Sequence, residues 1–372
     1  MERIDTDIVS IFIYVARGNM SSCSRVYINM HEKEGADYME NMMIYVLFFT
    51  GLFIIIKAGD LFVDAAVWIA KVTGIPSVLI GATLVSLATT LPELFVSMIA
   101  TLDGHIDMSI GNAIGSTICN IGLILGMCAI ISPIPIRRRF FSIKGFLMLG
   151  AVGTVYMMAF NRQISRIEGF VLLILLIIYI IINIFEVYTH KEDRYTVRFQ
   201  EKSFSTALLK NAAKFIIGAG GIILGARLLV DNGVRIAEIL NIPEQIVSLT
   251  LIALGTSLPE LTTALIAMIK GHEGISIGNI IGANILNLTM VLGTSSIIAE
   301  NGLIISSRNF EVFGKNIMDF PQTLALDVPF AALLMTILVI GGTANRKLGR
   351  LDGVLLMLLY IAYLTILALI SF

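Results

Sequence analysis

The chain has 372 residues, of which 56% are hydrophobic and only 14% are charged, and its mean hydropathy is +0.88. So low a charged fraction excludes an ordinary soluble domain. The net charge of −1 carries little information, and no basic patch supports nucleic-acid binding. These features predict an all-α polytopic membrane protein.

In chain order, a polar and charged leader comes first. We expect residues 1–41 to be disordered or not translated, with the true start near Met39, Met42 or Met43. About ten apolar segments follow, each of a length suited to a membrane-spanning helix. They lie near residues 42–70, 77–102, 107–131, 143–160, 168–188, 208–238, 244–269, 274–299, 323–343 and 351–371. A charged linker at 189–207 divides them into halves at 42–188 and 208–372.

The two halves repeat each other. Aligning Glu93 with Glu260 gives an offset of 260 − 93 = 167 residues, which holds without a gap from Gly59 to Gly126. It pairs TLVSLATTLPEL with TLIALGTSLPEL, and GNAIGSTICN with GNIIGANILN. Internal repeats in a membrane protein are typical of secondary transporters, whose site lies where the repeats meet. Five helices per half force opposite orientations, so we predict inverted repeats.

The distribution of Lys and Arg predicts the orientation. With the N-terminus outside, most basic residues fall in cytoplasmic loops, including the central linker, as the positive-inside rule requires. The cytoplasmic set is Arg137, Arg138, Arg139, Lys144, Lys191, Arg194, Arg198, Lys202, Arg346, Lys347 and Arg350. The opposite side then carries Arg162, Arg166, Arg235, Arg308 and Lys315.

A proline interrupts the second helix of each half. Pro92 and Pro259 have no N–H and displace the carbonyls of Ala88 and Gly255, so helices 2 and 7 are predicted to break at membrane depth. Freed carbonyls persist there only where protein, water or a ligand takes them up. A cation is the natural ligand, because carbonyl and hydroxyl oxygens are hard donors. The neighbouring hydroxyls belong to Thr89, Thr90, Thr256 and Ser257.

A glutamate follows each proline. A carboxylate at mid-bilayer costs about 2.5 kcal/mol or more, so Glu93 and Glu260 are predicted to face the bundle interior on an ion pathway. Together they supply the two negative charges that Ca2+ neutralises, and Na+ could use the same oxygens.

The next helix of each half is predicted to form a second wall. Its glycines, Gly111 and Gly115 in the first half and Gly278 and Gly282 in the second, have the small-xxx-small spacing of close helix packing. The candidate polar residues on this wall are Ser116, Asn120, Asn287, Asn112 and Asn279. For Asn112 and Asn279, interhelical hydrogen bonding is the alternative role.

The paired motifs TTLPE with GNAIGSTICN, and GTSLPE with GNIIGANILN, resemble the two alpha-repeats of the sodium/calcium exchanger family. The resemblance implies ten helices in two inverted five-helix repeats, with the alpha motifs at 77–126 and 244–293. It also implies a transporter, not an enzyme, of prokaryotic type without a regulatory domain. Four cation sites would lie at mid-membrane, and Na+ would exchange for Ca2+ by alternating access.

Carried over residue by residue, the resemblance implies a central Ca2+ site at Glu93 and Glu260, helped by the carbonyls of Thr89 and Thr256. Flanking Na+ sites would use Thr90, Ser116, Ser257 and the carbonyls of Ser86 and Ala253, with Asn120 on the wall. The chain departs from the family at Ala283, where many members have a serine, and at Asn287, where some have an aspartate. The full candidate set is Glu93, Glu260, Thr89, Thr256, Thr90, Ser257, Ser116, Asn120, Asn287, Ser86 and Ala253.

Several alternatives stay open. Ca2+/H+ antiport or K+-dependent Na+/Ca2+ exchange would use the same carboxylates, and a cation channel could use them as a filter. An intramembrane protease has only the isolated match KAGD, Lys57 to Asp60. The expected partners are Ca2+, Na+ and the lipid bilayer of a prokaryotic plasma membrane. We predict no cofactor and no obligate protein partner.

Overall fold

The computed structural model describes residues 42–61, 81–136, 138–189, 201–242, 244–269, 273–312 and 315–371, with the single residues 65, 68 and 79. The leader predicted over 1–41 lies outside the described residues, as do positions 190–200 of the linker and most of 62–80.

The described residues are mostly helical. The helices are α1 (Met42–Leu61), α2a (Gly81–Thr89), α2b (Leu91–Leu102), α3 (Ile106–Ile131), α4 (Arg138–Met158), α5 (Arg166–Thr189), α6 (Glu201–Ile239), α7a (Glu244–Val247, Ser248–Ile252 and Ala253–Thr256), α7b (Leu258–Ile269), α8 (Glu273–Ile298), α9 (Thr323–Asn345) and α10 (Arg350–Ser371).

Eight described helices are long and apolar enough to cross a membrane, and a ninth span counts if α2a and α2b are one bent helix. The fold class predicted from the sequence, an all-α polytopic membrane protein, is therefore confirmed. The count of ten and the inverted relation of the two halves stay predictions. α6 begins at Glu201, inside the charged stretch assigned to the linker.

Short strand pairs join the loops. β1 (Ile134–Pro135) pairs with β6 (Lys347–Leu348), and β2 (Gln163–Ile164) pairs with β3 (Leu303–Ile304), all antiparallel. Each of these pairs connects a loop of the first half to a loop of the second. The third pair, β4 (Arg308–Val312) with β5 (Lys315–Phe320), forms a hairpin between α8 and α9.

Helices α3 and α8 form the centre of the bundle. In their most apolar windows, 78% and 94% of the residues are buried, against 22% for α5 and 28% for α10. The peripheral helices turn large apolar side chains outward, as lipid-facing helices do. The polar residues of the motifs lie on or beside the central helices, so they are enclosed by protein.

Two close helix crossings bring the broken helices against this centre. A Cβ on Gly282 of α8 would lie 2.6 Å from Ser86 Oγ of α2a, and one on Gly115 of α3 would lie 2.9 Å from Ala253 Cβ of α7a. Both residues of the second contact are related to those of the first by the 167-residue offset of the sequence repeat. Glycine is required at both crossings because a side chain would force the helices apart.

Five π-helical turns interrupt the described helices. Two begin at Gly81 and Ser248, and two more begin at Asn120 and Asn287; each pair is 167 residues apart. The fifth, Thr323–Asp327, opens α9. A π turn adds one residue to a helix turn and occurs frequently at functional sites. The four paired turns flank the motifs that the sequence singled out.

Candidate cation-binding site

The first helix break lies at Thr90. α2a and α2b meet there at an angle of 43°. The last backbone bond before the break runs from the Thr90 N–H to the Ser86 carbonyl at 2.9 Å, and the Leu94 N–H donates to the Thr90 carbonyl at 3.0 Å. Pro92 offers no N–H to the Ala88 carbonyl, which is the physical reason for the break. The predicted proline interruption of helix 2 is confirmed.

The second break repeats this geometry at Ser257. The Ser257 N–H donates to the Ala253 carbonyl at 3.0 Å, and the Leu261 N–H donates to the Ser257 carbonyl at 3.0 Å. Pro259 again follows two residues after the break. Both interruptions therefore place the N-terminus of a short, newly started helix, α2b or α7b, in the buried interior of the bundle.

The two glutamates occupy the first turns of these new helices. Glu93 and Glu260 are fully buried, and their charges act on each other. Ser257 Oγ donates to Glu93 Oε1 at 3.3 Å. Among the described residues, Glu93 Oε2 and both carboxylate oxygens of Glu260 have no hydrogen-bond partner, although Thr89 and Thr90 face Glu260.

This arrangement favours a bound cation. The positive end of each helix dipole supports its carboxylate only in part. Two mutually repelling carboxylates with three unpartnered oxygens remain expensive in a dry interior. A cation held between them would offset that cost.

Hydroxyl and carbonyl oxygens of the predicted set gather beside the carboxylates. Ser116 Oγ donates to the Ala253 carbonyl at 3.4 Å and lies 3.4 Å from Thr256 Oγ1. Thr89 Oγ1 lies 3.3 Å from the Ser86 carbonyl, to which it donates. The structure thus brings α3 and α7a together at Ser116, Ala253 and Thr256.

Asn112 of α3 makes hydrogen bonds to both α2b and α7a. Its amide nitrogen donates to the Glu93 carbonyl at 3.1 Å and to Ser97 Oγ at 3.0 Å, and its oxygen accepts from Thr256 Oγ1 at 3.1 Å. The sequence alone favours a site-forming or an interhelical role for this residue equally and does not place it among the candidate cation ligands. The signal that could have included it is its place directly after Gly111 in the duplicated motif.

Asn279 is the equivalent residue of the second half. Its oxygen accepts from Thr89 Oγ1 at 3.3 Å, but its amide nitrogen has no partner among the described residues. Ala264 stands where the first half has Ser97, so one hydrogen-bond partner is lost. The equivalent asparagines of the two halves therefore make different numbers of hydrogen bonds.

Three further buried asparagines, Asn120, Asn284 and Asn287, lie on the central helices α3 and α8. Asn120 Nδ2 donates to Asn284 Oδ1 at 3.2 Å, whereas neither amide atom of Asn287 has a partner among the described residues. Sequence reasoning selected Asn120 and Asn287 and missed Asn284. The residue equivalent to Asn284 in the first half is Thr117, so the sequence repeat does not mark Asn284 as a paired position.

The donor set is entirely hard oxygen. Among the described residues, no three His, Cys, Asp or Glu side chains converge as a transition-metal site would require. Two carboxylates with neutral hydroxyl, amide and carbonyl oxygens suit Ca2+ or Na+, which prefer such ligands. The residues present therefore fit a transported hard cation.

The family model for "Sodium/calcium exchanger protein" matches residues 43–185 and 210–369. The chain belongs to this family. Sodium/calcium exchanger MaX1 of Methanosarcina acetivorans is 29% identical over 358 residues, which covers 87% of this chain and 98% of that protein. Inner membrane protein YrbG of Escherichia coli is 34% identical over 283 residues, covering 73% and 85%.

A solved structure shows the same fold. The sodium-calcium exchanger NCX_Mj, soaked with 10 mM Na+ and zero Ca2+, matches with a TM-score of 0.63 and 31% identity, covering 87% of this chain and 99% of that one. The chain is therefore an integral membrane transporter of the exchanger family. At Ala283 and Asn287, where the resemblance marks departures, the structure has a buried methyl group and a buried neutral amide.

Proposed function

We propose that this chain exchanges Na+ for Ca2+ across the membrane by alternating access. The observation that carries the proposal is the pair of buried glutamates, Glu93 and Glu260, with three carboxylate oxygens that lack hydrogen-bond partners. Their two charges match one Ca2+, and the surrounding neutral oxygens suit Na+ as the competing ion.

Shared ligands explain why exchange would be obligatory. If Ca2+ and Na+ both need Glu93 and Glu260, only one ion set binds at a time. The empty site carries two negative charges, which resist the passage through a closed, dehydrated state that alternating access requires. Either ion set neutralises the site, so the Na+ gradient can drive Ca2+ uphill through the same two-state equilibrium.

The flanking oxygens have proposed roles as well. We assign the Thr89 and Thr256 carbonyls to Ca2+, and the Thr90, Ser257 and Ser116 hydroxyls to Na+. The Ser86 and Ala253 carbonyls would complete the Na+ sites, each with a lone pair beyond the bond it already accepts. Asn120 and Asn287 would line the wall.

The test is uptake of radiolabelled Ca2+ into proteoliposomes loaded with Na+, K+ or a proton gradient. Uptake is expected only with internal Na+, and it is expected to vanish in Glu93→Gln and in Glu260→Gln. Glu168→Gln is the matched control, because Glu168 is also a first-turn glutamate but caps Ser165 at the start of α5. Uptake that persists in both site variants would contradict the proposal.

A Ca2+/H+ antiporter is the second candidate, and the neutral Asn287 and the oxygen-free Ala283 favour it. With fewer oxygens in the second half, protons on Glu93 and Glu260 could replace Na+. The proton-gradient arm of the same assay identifies this branch, and the K+ arm identifies K+-dependent exchange. Ca2+ flux without any counter-ion requirement would indicate a channel.

We also propose that the N-terminus lies outside and the central linker lies in the cytoplasm of a prokaryotic plasma membrane. The strand pair β1 and β6 joins two loops that both carry basic residues, which supports their placement on one side. A cysteine introduced at Lys347 would then resist an impermeant thiol reagent in intact cells. One introduced at Asp319 would react, and the reverse pattern would overturn the orientation.

A further inference from the structure

Another buried carboxyl, outside the set assigned to the central site, lies at the start of α9. Asp327 is fully buried and ends the π turn Thr323–Asp327. The described residues of α4, the corresponding helix of the first half, form no such turn. An ionisable residue within a membrane span and a π turn each mark functional positions, and here they coincide. The transport mechanism proposed above does not use this residue.

The hydrogen-bond partners of Asp327 come from two elements. Tyr363 of α10 donates from Oη to Asp327 Oδ1 at 3.0 Å. The Gln322 amide nitrogen lies 3.4 Å from Oδ1 and 3.5 Å from Oδ2. Gln322 is itself fully buried, and its Oε1 has no hydrogen-bond partner among the described residues. A buried amide oxygen without a donor is costly, so the cluster could accommodate one more hydrogen-bond donor.

Both partners can serve either protonation state of the carboxyl. A tyrosine hydroxyl donates or accepts, and a primary amide presents either its nitrogen or its oxygen after a half turn in the same volume. When Asp327 is ionised, Tyr363 and the Gln322 nitrogen donate to it. When Asp327 carries a proton, its O–H donates to the Gln322 oxygen that now lacks a donor. One proton therefore removes the buried charge and gives the Gln322 oxygen a donor, while the amide nitrogen turns away from the carboxyl.

The charges around Asp327 also favour the binding of one proton. Arg308 of β4 and the Thr323 hydroxyl face Asp327, and Asp107 of α3 acts on Arg308. Tyr360 of α10 acts on the Tyr363 hydroxyl. The formal charges of Asp107, Arg308 and ionised Asp327 sum to −1, so one added proton makes the cluster neutral.

We propose that Asp327, with Gln322 and Tyr363, forms a proton-binding site separate from the central cation site. The proton adds to one carboxylate oxygen, and no other covalent bond changes. Arg308 and the β4–β5 hairpin place the site toward the side of the membrane that carries this hairpin. Proton binding here does not depend on which ions the central site exchanges.

The experiment uses the full chain with Glu93→Gln and Glu260→Gln as background, so that the central carboxyls cannot titrate. Infrared difference spectra of the purified protein in lipid nanodiscs are recorded against pH. A carbonyl band of a protonated carboxyl is expected to disappear on alkaline titration, and it is expected to be absent after Asp327→Asn. Asp319→Asn, on the exposed part of the hairpin, is the matched control and keeps the band.

Tyr363→Phe provides an independent variant if Asp327→Asn fails to fold, as judged by size-exclusion chromatography. It removes a donor to the ionised form, so the midpoint of the band's titration is expected to move to higher pH. Identical spectra with and without Asp327→Asn would mean that Asp327 stays ionised beside Arg308 and would overturn the proposal. A midpoint that Tyr363→Phe leaves in place would overturn it as well.

Discussion

Asn112 and Asn279 occupy equivalent positions in the two halves but make different numbers of hydrogen bonds. Asn112→Ala removes three, those with the Glu93 carbonyl, Ser97 and Thr256, and Asn279→Ala removes one, with Thr89. A side-chain hydrogen bond in a membrane protein contributes about 0.6 kcal/mol on average. We therefore expect losses in the free energy of unfolding of about 2 kcal/mol for Asn112→Ala and about 0.6 kcal/mol for Asn279→Ala.

The comparison is well controlled because both substitutions remove the same atoms from fully buried positions, so the cavity contributions are similar. The difference corresponds to nearly tenfold in the unfolding equilibrium constant. Reversible unfolding in mixed micelles with increasing SDS, followed by circular dichroism, measures both values. Equal losses, or a larger loss for Asn279→Ala, would refute the reasoning from hydrogen-bond counts.

Two further predictions concern packing and pH. Gly282→Ala places a Cβ 2.6 Å from a serine hydroxyl of α2a, so we expect about 1–3 kcal/mol of destabilisation by thermal unfolding. Gly150→Ala meets no described atom within 4 Å and should be neutral or stabilising by up to about 1 kcal/mol; equal shifts would contradict this. The Arg162 guanidinium, 2.7 Å from Asp319, holds the pKa of that carboxyl below its usual value. The ion pair therefore orders the hairpin at neutral pH and is lost as pH falls through the lowered pKa. A spin label in β5 should become more mobile at acid pH in the wild type and should show no such transition in Asp319→Asn. Identical pH profiles would exclude an ordering role for the ion pair.

The strongest sequence signals concerned chemistry that a membrane helix does not tolerate. Pro92 and Pro259 predicted the helix breaks, because a missing N–H has a local and unavoidable effect. Glu93 and Glu260 predicted a buried polar centre, because a carboxylate facing lipid is too costly. The residue assignments to individual cations stay predictions.

Other features had no local sequence signal. The π turns beginning at Asn120 and Asn287 lie in α3 and α8, which are buried on most sides, so one extra residue per turn leaves no mark in the hydrophobic pattern. The partner of Asn120 proved to be Asn284, a contact set by the crossing of α3 and α8 and not by spacing. Asp327 was part of the segment predicted over 323–343, and only the packing of α9 against α10 reveals its contact with Tyr363.

Na+/Ca2+ exchange as proposed requires that Glu93 and Glu260 hold Ca2+ and Na+ at shared oxygens. Equilibrium binding of radiolabelled Ca2+ to the purified protein, titrated with Na+, measures whether they do. We expect Na+ to displace Ca2+ completely, and Glu93→Gln or Glu260→Gln alone to abolish Ca2+ binding while Glu168→Gln leaves it unchanged. Ca2+ binding that survives either site variant, or that Na+ does not displace, would show that the two ions do not share these carboxylates.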